Sequence, residues 1–162
     1  ATPLKFQLWY ESSGHYPSSA EQALLYKEAL TDPALGGVIQ VDLKSADWAS
    51  YKKNRDDEIM DAFLYGWYPD YVDPDDYAFL YWAGWLHINY SNATQVALFN
   101  QARATTDTAL RTQLYAQIDA MAVQQCSVVP LWVSGAWAVT KPAVYGVYLD
   151  ITQDMRYWLI SK

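Results

Sequence analysis

Cysteine, histidine and basic residues are scarce in this chain, and each scarcity excludes a class of function. Cys126 is the single cysteine, which excludes an internal disulfide and a multi-cysteine metal site. We expect it to be a buried thiol at the end of a helix. The histidines, His15 and His87, form no ligand-spaced pair, so we expect no metal. With 11 Lys and Arg against 18 Asp and Glu, the net charge of −7 argues against nucleic-acid binding.

Long apolar runs are also missing. The longest, from residue 126 to residue 139, is broken by Pro130 and Ser134-Gly135 and is too short to span a bilayer. No signal peptide is visible. The chain begins Ala1-Thr2-Pro3 and continues at once into a strand pattern. We therefore expect a piece of a larger protein whose export signal or anchor lies outside this sequence.

Aromatic residues are abundant instead, with 8 Trp and 14 Tyr among 162 residues. Such side chains combine a large apolar surface with a polar atom, which suits both cores and ligand pockets. Hydrophobic residues make up 52% and charged residues 18% of the chain, as in globular proteins. A chain of this length predicts one domain with its own core.

The first half of the chain alternates strand and helix patterns. Strands are predicted at residues 4–10, 38–43 and 59–65, and helices at residues 19–30 and 46–55. This order predicts an α/β fold in which parallel strands are joined by right-handed crossovers.

Capping residues mark three predicted helix starts. Ser18 and Glu21 have the spacing of a capping box, and Ser45 precedes the second helix. Thr106 or Asp107 is placed to cap a long helix further along. We expect its apolar stripe to be core. The stripe consists of Leu110, Leu114, Ile118, Met121 and Cys126.

The rest of the second half is less regular. A short helix and a loop are predicted at residues 78–90, and a helix at residues 94–104. After the long helix, apolar segments with turn residues between them predict short strands. These segments are residues 128–132, 136–140, 144–149 and 157–160.

Residues 61–77 are the most informative stretch. An apolar run ends at Gly66-Trp67, and carboxylates then alternate with prolines and aromatics. Ligands of parallel α/β sheets bind beyond the carboxyl ends of strands, where this stretch is predicted to lie. Trp67, Asp70 and Tyr71 therefore form a candidate edge of a binding cleft.

The carboxylates in this stretch leave two other functions open. Two acids on either side of a glycosidic bond would make a glycan-acting enzyme, and alternating oxygen ligands suit calcium. The glycine and glutamate of an EF-hand loop are missing, however, and a solvated acidic turn is the commoner explanation. The chain also has no nucleophile elbow and no phosphate-binding glycine loop. We expect a protein without enzymatic activity and without a cofactor.

Taken in order, the motifs resemble the carboxy-terminal lobe of extracellular solute-binding proteins of the oligopeptide and dipeptide type (solute-binding protein family 5), which supply ABC importers. The resemblance runs nearly end to end. Its motifs are Gly36-Gly37-Val38-Ile39-Gln40-Val41, Asp47-Trp48-x-x-Tyr51, Gly66-Trp67-x-x-Asp70-Tyr71-x-Asp73-Pro74, Arg111-x-x-Leu114-Tyr115 and Val128-Val129-Pro130-Leu131.

This resemblance implies that residues 1–162 are one lobe of a type II periplasmic-binding-protein-like fold, with a mixed, mostly parallel sheet flanked by helices. A second lobe outside this sequence would close on the ligand by a hinge. It also implies a periplasmic or extracellular location, a membrane anchor at the absent N-terminus, and delivery of ligand to an ABC permease.

The resemblance further implies roles for particular residues. Asp70 matches the carboxylate that receives the amino terminus of the ligand in oligopeptide binders. Trp67 and Trp48 match tryptophans that line side-chain pockets in those binders, and Arg55 matches a basic residue that lines the same region. Leu64 stands where some oligopeptide binders carry an arginine. Because other members of the class bind oligosaccharides, peptide and sugar both remain open as ligands.

Overall fold

The computed structural model describes residues 2–82, 84–152 and 154–162. The chain divides into two compact units. The α/β unit comprises Ala1–Gly66 and Leu86–Asn89, and the helical unit comprises Trp67–Trp85 and Tyr90–Lys162. The expectation that residues 1–162 form a single lobe stays a prediction.

A three-stranded parallel sheet forms the centre of the α/β unit. Strand β1 (Leu4–Glu11) lies between β2 (Ile39–Ala46) and β3 (Ala62–Phe63). In the register of the sheet, Leu8 is paired with Leu43 on one side and with Ala62 on the other. The predicted α/β class with parallel strands is therefore confirmed.

The third strand is much shorter than predicted, because side-chain contacts replace the ladder at its start. The carboxylate of Asp61 accepts the backbone N–H of Gln7 at 2.8 Å. In a longer strand, a backbone carbonyl of β3 would accept this N–H instead. After Phe63, one further backbone bond joins Leu64 N–H to the carbonyl of Trp9 at 3.0 Å. The sheet ends there, and the chain turns toward Gly66.

Helix α1 (Ser19–Leu30) has the predicted bounds, but Ser18 does not cap it. The backbone of Ser18 is left-handed, with φ of 55°, whereas a capping serine is extended. Helix α2 (Trp48–Asp56) begins two residues later than predicted. Its cap is Asp47, whose carboxylate accepts the N–H groups of Ala49 and Ser50, while Ser45 belongs to β2. Both serine caps were thus wrong predictions.

Three α-helices are found among the described residues of the helical unit. They are α3 (Pro74–Trp82), α4 (Ala93–Ala104) and α5 (Thr108–Gln125). Asn92 caps α4, and Asp107 caps α5 as one of the two predicted candidates. The core between the helices consists of Ala78, Phe99, Ala102, Leu114, Tyr115 and Ile118.

Only the middle of the predicted α5 stripe is buried. Leu114 and Ile118 belong to the core, whereas Leu110 is 37% exposed and Met121 is partly buried. Cys126 is exposed, because the helix ends before it and its own backbone is left-handed with φ of 51°. The prediction of a buried thiol was wrong, because burial of the stripe is limited to the turns that pack against α3 and α4.

The four strands predicted after α5 are absent from the described residues 127–152 and 154–162. Two isolated antiparallel bridges, Tyr145 with Ser161 and Leu149 with Met155, and a 3-10 turn at Tyr157–Leu159 take their place. A strand needs a partner strand to form a ladder, and the described residues of this segment form only these two isolated bridges. Several of its apolar side chains are consequently exposed, with Trp137 at 92%.

Among the described helices, none is both long enough and apolar enough to cross a membrane.

Candidate functional site

Trp48 belongs to an aromatic cluster in the α/β unit that also contains His15, Tyr16, Tyr51 and Tyr65. The imidazole of His15 stacks on the indole of Trp48, with ring centroids 3.7 Å apart and planes 12° from parallel. Tyr16 and Tyr65 approach the same indole at 5.6 Å and 5.9 Å. One face of Trp48 is therefore already covered by another ring.

The carboxylate of Glu11 holds the loop that carries His15. Glu11 is 2% exposed at the end of β1. It accepts the backbone N–H of His15 at 2.8 Å and that of Tyr16 at 3.4 Å, as well as the N–H and hydroxyl of Ser13. Burial alone would raise the pKa of Glu11, but these hydrogen bonds outweigh it and lower the pKa below its usual value.

The glycine of the Gly-Trp step is required by its contact with Tyr16. The hydroxyl of Tyr16 donates to the carbonyl of Gly66 at 2.9 Å, and its ring lies against the glycine. A Cβ on Gly66 would be 2.9 Å from the Cε1 atom of Tyr16, closer than such atoms approach. The hydroxyl of Tyr51 donates to the carbonyl of Leu64 at 2.7 Å. The buried Tyr51 and the partly buried Tyr16 thus fix the chain just before Trp67.

Arg55 also joins the aromatic cluster, through Tyr65. Its guanidinium donates to the hydroxyl of Tyr65 at 2.8 Å and to the carboxylate of Asp56 at 2.7 Å and 3.0 Å. Arg55 is only 6% exposed. Since Trp48 and Arg55 both contact Tyr65, the structure brings together two of the predicted site residues. The charge of Arg55 is largely paired with Asp56.

Trp67 and Asp70 are joined in the helical unit by Asp76, another carboxylate of the acidic turn. One carboxylate oxygen of Asp76, Oδ2, accepts the indole N–H of Trp67 at 2.9 Å and the backbone N–H of Asp70 at 2.8 Å. Asp76 is 2% exposed. The ring of Trp67 also meets Trp85 edge to face, with centroids 5.1 Å apart.

Asp75 holds Tyr71. The hydroxyl of Tyr71 donates to one oxygen of Asp75 at 2.7 Å, while Tyr115 donates to the other at 3.3 Å. Arg103 forms an ion pair with the same carboxylate at 3.1 Å. The hydrogen bond to Asp75 raises the pKa of Tyr71 to about 12. The hydroxyl of Tyr71 is therefore engaged by a carboxylate of the protein.

Asp73 is a true cap and an ion-pair partner. Its carboxylate accepts the backbone N–H of Asp75 at 2.8 Å, at the start of α3. Both terminal nitrogens of Arg111 bind it, at 2.6 Å and 2.7 Å. These bonds lower the pKa of Asp73. Sequence reasoning assigned the turn role correctly but missed Arg111, whose motif position alone does not show its partner.

The carboxylate of Asp70 differs from the other three. It is exposed, and within the described residues it has no hydrogen bond or ion pair. Asp73, Asp75 and Asp76 are each engaged by donors of the protein. Of the four acids in the turn, only Asp70 is thus free to bind a cation from solution.

This division bears on the enzyme and calcium alternatives. Glycoside hydrolysis uses two carboxyl groups beside the scissile bond, and one accessible acid does not supply that pair. In the part of the chain that the structure describes, no three Asp, Glu, His or Cys side chains form a group able to hold a metal ion.

In sequence, the chain is 26% identical over 159 residues to the periplasmic oligopeptide-binding protein OppA of Haemophilus influenzae. The match covers 97% of this chain but 29% of that relative, so the chain spans less than a third of its length. No protein-family model matches the chain.

Solved structures show the same fold. HbpA2 from Haemophilus parasuis matches with a TM-score of 0.76 at 18% identity, over 99% of this chain and 32% of that one. The substrate-binding domain of an oligopeptide ABC transporter from Bacillus anthracis matches with 0.76 at 21% identity, over 98% and 31%. Haemophilus influenzae OppA, in complex with the peptide RPPGFSPFR, matches with 0.72 at 23% identity, over 98% and 31%.

The sequence match and the fold agree, and both cover nearly all of this chain and about a third of each relative. Over nearly its whole length the chain is therefore homologous to less than a third of the oligopeptide-binding protein OppA, and it has the fold of the matching part of these solved structures.

Proposed function

We propose that this chain is the ligand-binding lobe of an exported receptor that captures oligopeptides and delivers them to an ABC importer. The observation that carries the proposal is the carboxylate of Asp70, which is exposed three residues after Trp67 while the other acids of the turn are engaged. A peptide presents one invariant cation, its amino terminus, and variable side chains. A single free carboxylate beside an aromatic wall is suited to that combination.

The binding energy would come from a few contacts. A charge-assisted hydrogen bond between Asp70 and the peptide ammonium fixes the end of the ligand. Burial of a side chain against Trp67 would add on the order of 1 to 2 kcal/mol. Trp48, Arg55 and Tyr71 stay predicted ligand-binding residues. Because Arg55 is paired with Asp56, we expect it to shape the site rather than to add a free charge.

A second lobe is part of this proposal. The chain spans 29% of the curated relative, so the rest of such a receptor would supply the opposing surface of the cleft. The isolated chain should accordingly bind peptide weakly, because half of the contacts are missing. The permease that receives the ligand is the other proposed partner.

Calorimetry on the protein encoded by the full reading frame tests the proposal. A pool of tripeptides Ala-X-Ala should bind, and the same pool with acetylated amino termini should bind much more weakly. Replacing Asp70 by alanine should cost about 2 to 4 kcal/mol of affinity for the free peptides. Glu28→Ala, which removes an exposed acid from α1, is the control and should leave affinity unchanged.

Three results would contradict the proposal. Equal binding of free and acetylated peptides would exclude Asp70 as the anchor of the amino terminus. Binding of oligosaccharides without peptides would make the protein a sugar receptor. Cleavage of a glycan that is lost in Asp70→Asn would make it an enzyme. Mass spectrometry of ligand carried through purification separates the first two possibilities.

A further inference from the structure

Asp76 connects the two residues on which the proposed binding edge depends. It is the third residue of α3, and its carboxylate is 2% exposed, so it is not itself available to a ligand. A single oxygen of this carboxylate accepts both the indole N–H of Trp67 and the backbone N–H of Asp70. A carboxylate in the first turn of a helix is stabilised there by the helix dipole.

Each of these two hydrogen bonds restricts a different motion, that of the Trp67 side chain or that of the backbone at Asp70. An indole has a single N–H, so its bond to Asp76 fixes the orientation of the Trp67 ring. The backbone bond fixes the loop at Asp70, and with it the position from which the exposed carboxylate of Asp70 extends. The ring and the anchor are therefore held relative to each other by one atom.

We infer that Asp76 is a positioning residue for ligand binding, which sets the distance between the Asp70 anchor and the Trp67 wall without touching the ligand. The inference rests on the proposed function of these two residues. It also defines what Trp67 recognises. Since the indole N–H is bound inside the protein, Trp67 offers a ligand only its ring surface, and it selects for apolar or aromatic groups rather than for hydrogen-bond acceptors.

Two variants of Asp76 distinguish a role in positioning Trp67 and Asp70 from a general effect on the stability of the fold. Asp76→Ala removes the acceptor, and Asp76→Asn keeps an oxygen of the same shape without the charge. Asp73→Asn is the matched control, because it weakens an ion pair of the same turn and leaves the acceptor of Trp67 in place. All three are made in the protein of the full reading frame and labelled with 5-fluorotryptophan. The resonance of Trp67 is identified by its loss in Trp67→Phe.

The readouts are the affinity for the Ala-X-Ala pool and the fluorine shift of Trp67 without ligand. Asp76→Ala should lower affinity about 10- to 100-fold, where each factor of ten corresponds to about 1.4 kcal/mol of binding free energy. It should also move the Trp67 resonance. Asp76→Asn should recover most of the affinity and return the resonance toward its original position. Asp73→Asn should lower the melting temperature and change neither readout.

Several outcomes would overturn the inference. Wild-type affinity in Asp76→Ala would do so, as would an unmoved Trp67 resonance, or an equal loss of affinity in Asp73→Asn. If Asp76→Ala does not fold, Asp76→Glu decides, because it keeps the carboxylate but displaces it by one methylene group from the N–H groups of Trp67 and Asp70. An unchanged Trp67 resonance and an unchanged affinity in that variant would overturn the inference. If the wild-type protein binds no peptide of the pool, the proposed function fails first and the inference falls with it.

Discussion

Glu11 is a buried carboxylate whose partners are mostly backbone N–H groups of one loop. Because its pKa is lowered on folding, its contribution to stability is complete above about pH 5 and declines as the pH falls through the lowered pKa. Protonation removes the charged acceptor from three donor residues at once. The loop that carries His15 and Tyr16 should therefore be the part of the α/β unit that loosens first in acid.

Glu11→Gln should make this loop open more readily at pH 7, at a cost of about 1 to 3 kcal/mol, because the amide turns a donor toward the N–H groups of Ser13, His15 and Tyr16. Amide hydrogen exchange at His15 and Tyr16 measures the effect. The difference from the wild type should shrink as the pH is lowered from 6 to 3. Glu28→Gln should leave both amides unchanged, and a difference that grows in acid would contradict the account.

The acidic turn shows how far residue-level prediction from sequence extends. The resemblance singled out Asp70, and its open carboxylate is compatible with that role. Nothing in the sequence distinguished Asp76 from Asp75, because two adjacent acids in a first turn have the same propensity. Their roles differ only because consecutive residues of a helix point 100° apart, toward Trp67 in one case and toward Tyr71 in the other.

At the scale of elements, two residues near the start of α2, Asp47 and Ser45, can be compared as helix caps. Asp47→Ala should destabilise the helix by about 0.5 to 2 kcal/mol, because the N–H groups of Ala49 and Ser50 lose their acceptor. Ser45→Ala, at the residue that the sequence favoured as the cap, should cost much less. Urea unfolding followed by circular dichroism compares the two. Equal costs would show that the carboxylate is not the working cap.

Gly146 makes a close backbone approach possible between the last two segments of the helical unit. Its φ is 76°, and a Cβ there would be 1.9 Å from the carbonyl oxygen of Leu159. Gly146→Ala should break the bridge between Tyr145 and Ser161, whose two backbone bonds measure 3.0 Å and 3.1 Å. Amide exchange at these two residues should rise at least tenfold, equivalent to about 1.4 kcal/mol.

Gly84→Ala is the control for this experiment. Gly84 has a similar φ of 77°, but nothing lies within 4 Å of the added Cβ. It should cost only the backbone strain, about 1 kcal/mol, and should leave the bridge intact. Retention of exchange protection at Tyr145 in Gly146→Ala would mean that the two segments can separate without losing their hydrogen bonds.

The best-predicted elements are those whose formation depends mainly on residues close in the sequence. The bounds of α1 follow from the spacing of its apolar residues and from Pro17 before it and Asp32-Pro33 after it. Strand β1 was recognised because its alternation matches a sheet that is present. The segments after residue 127 have the same kind of pattern, but a strand also requires a neighbour, which a local pattern does not reveal.

At the scale of the molecule, the segment after α5 carries several highly exposed apolar side chains. Val133, Trp137 and Val139 are 92%, 92% and 99% exposed. Exposed apolar side chains clustered in one segment favour association. Each would bury its surface on contact with any apolar partner, including a second copy of the chain.

The isolated chain should therefore self-associate and bind an apolar dye through this segment. Val133→Asp combined with Trp137→Asp should shift sedimentation toward the monomer and reduce dye fluorescence by at least half. Val123→Asp, which adds a charge at a 62% exposed site on α5, is the control and should have little effect. Association that persists in the double variant would place the contact elsewhere.

The stack of His15 on Trp48 has a consequence for the thermodynamics of binding. A ligand ring that used this face of Trp48 would displace an imidazole rather than water, so little apolar surface would be newly dehydrated there. Contact at such a face should contribute almost nothing to the heat-capacity change of binding, whereas contact at a hydrated ring gives a negative change. The temperature dependence of the binding enthalpy would then report the hydrated aromatic surfaces that the ligand covers, and contact at this face of Trp48 would add little to it.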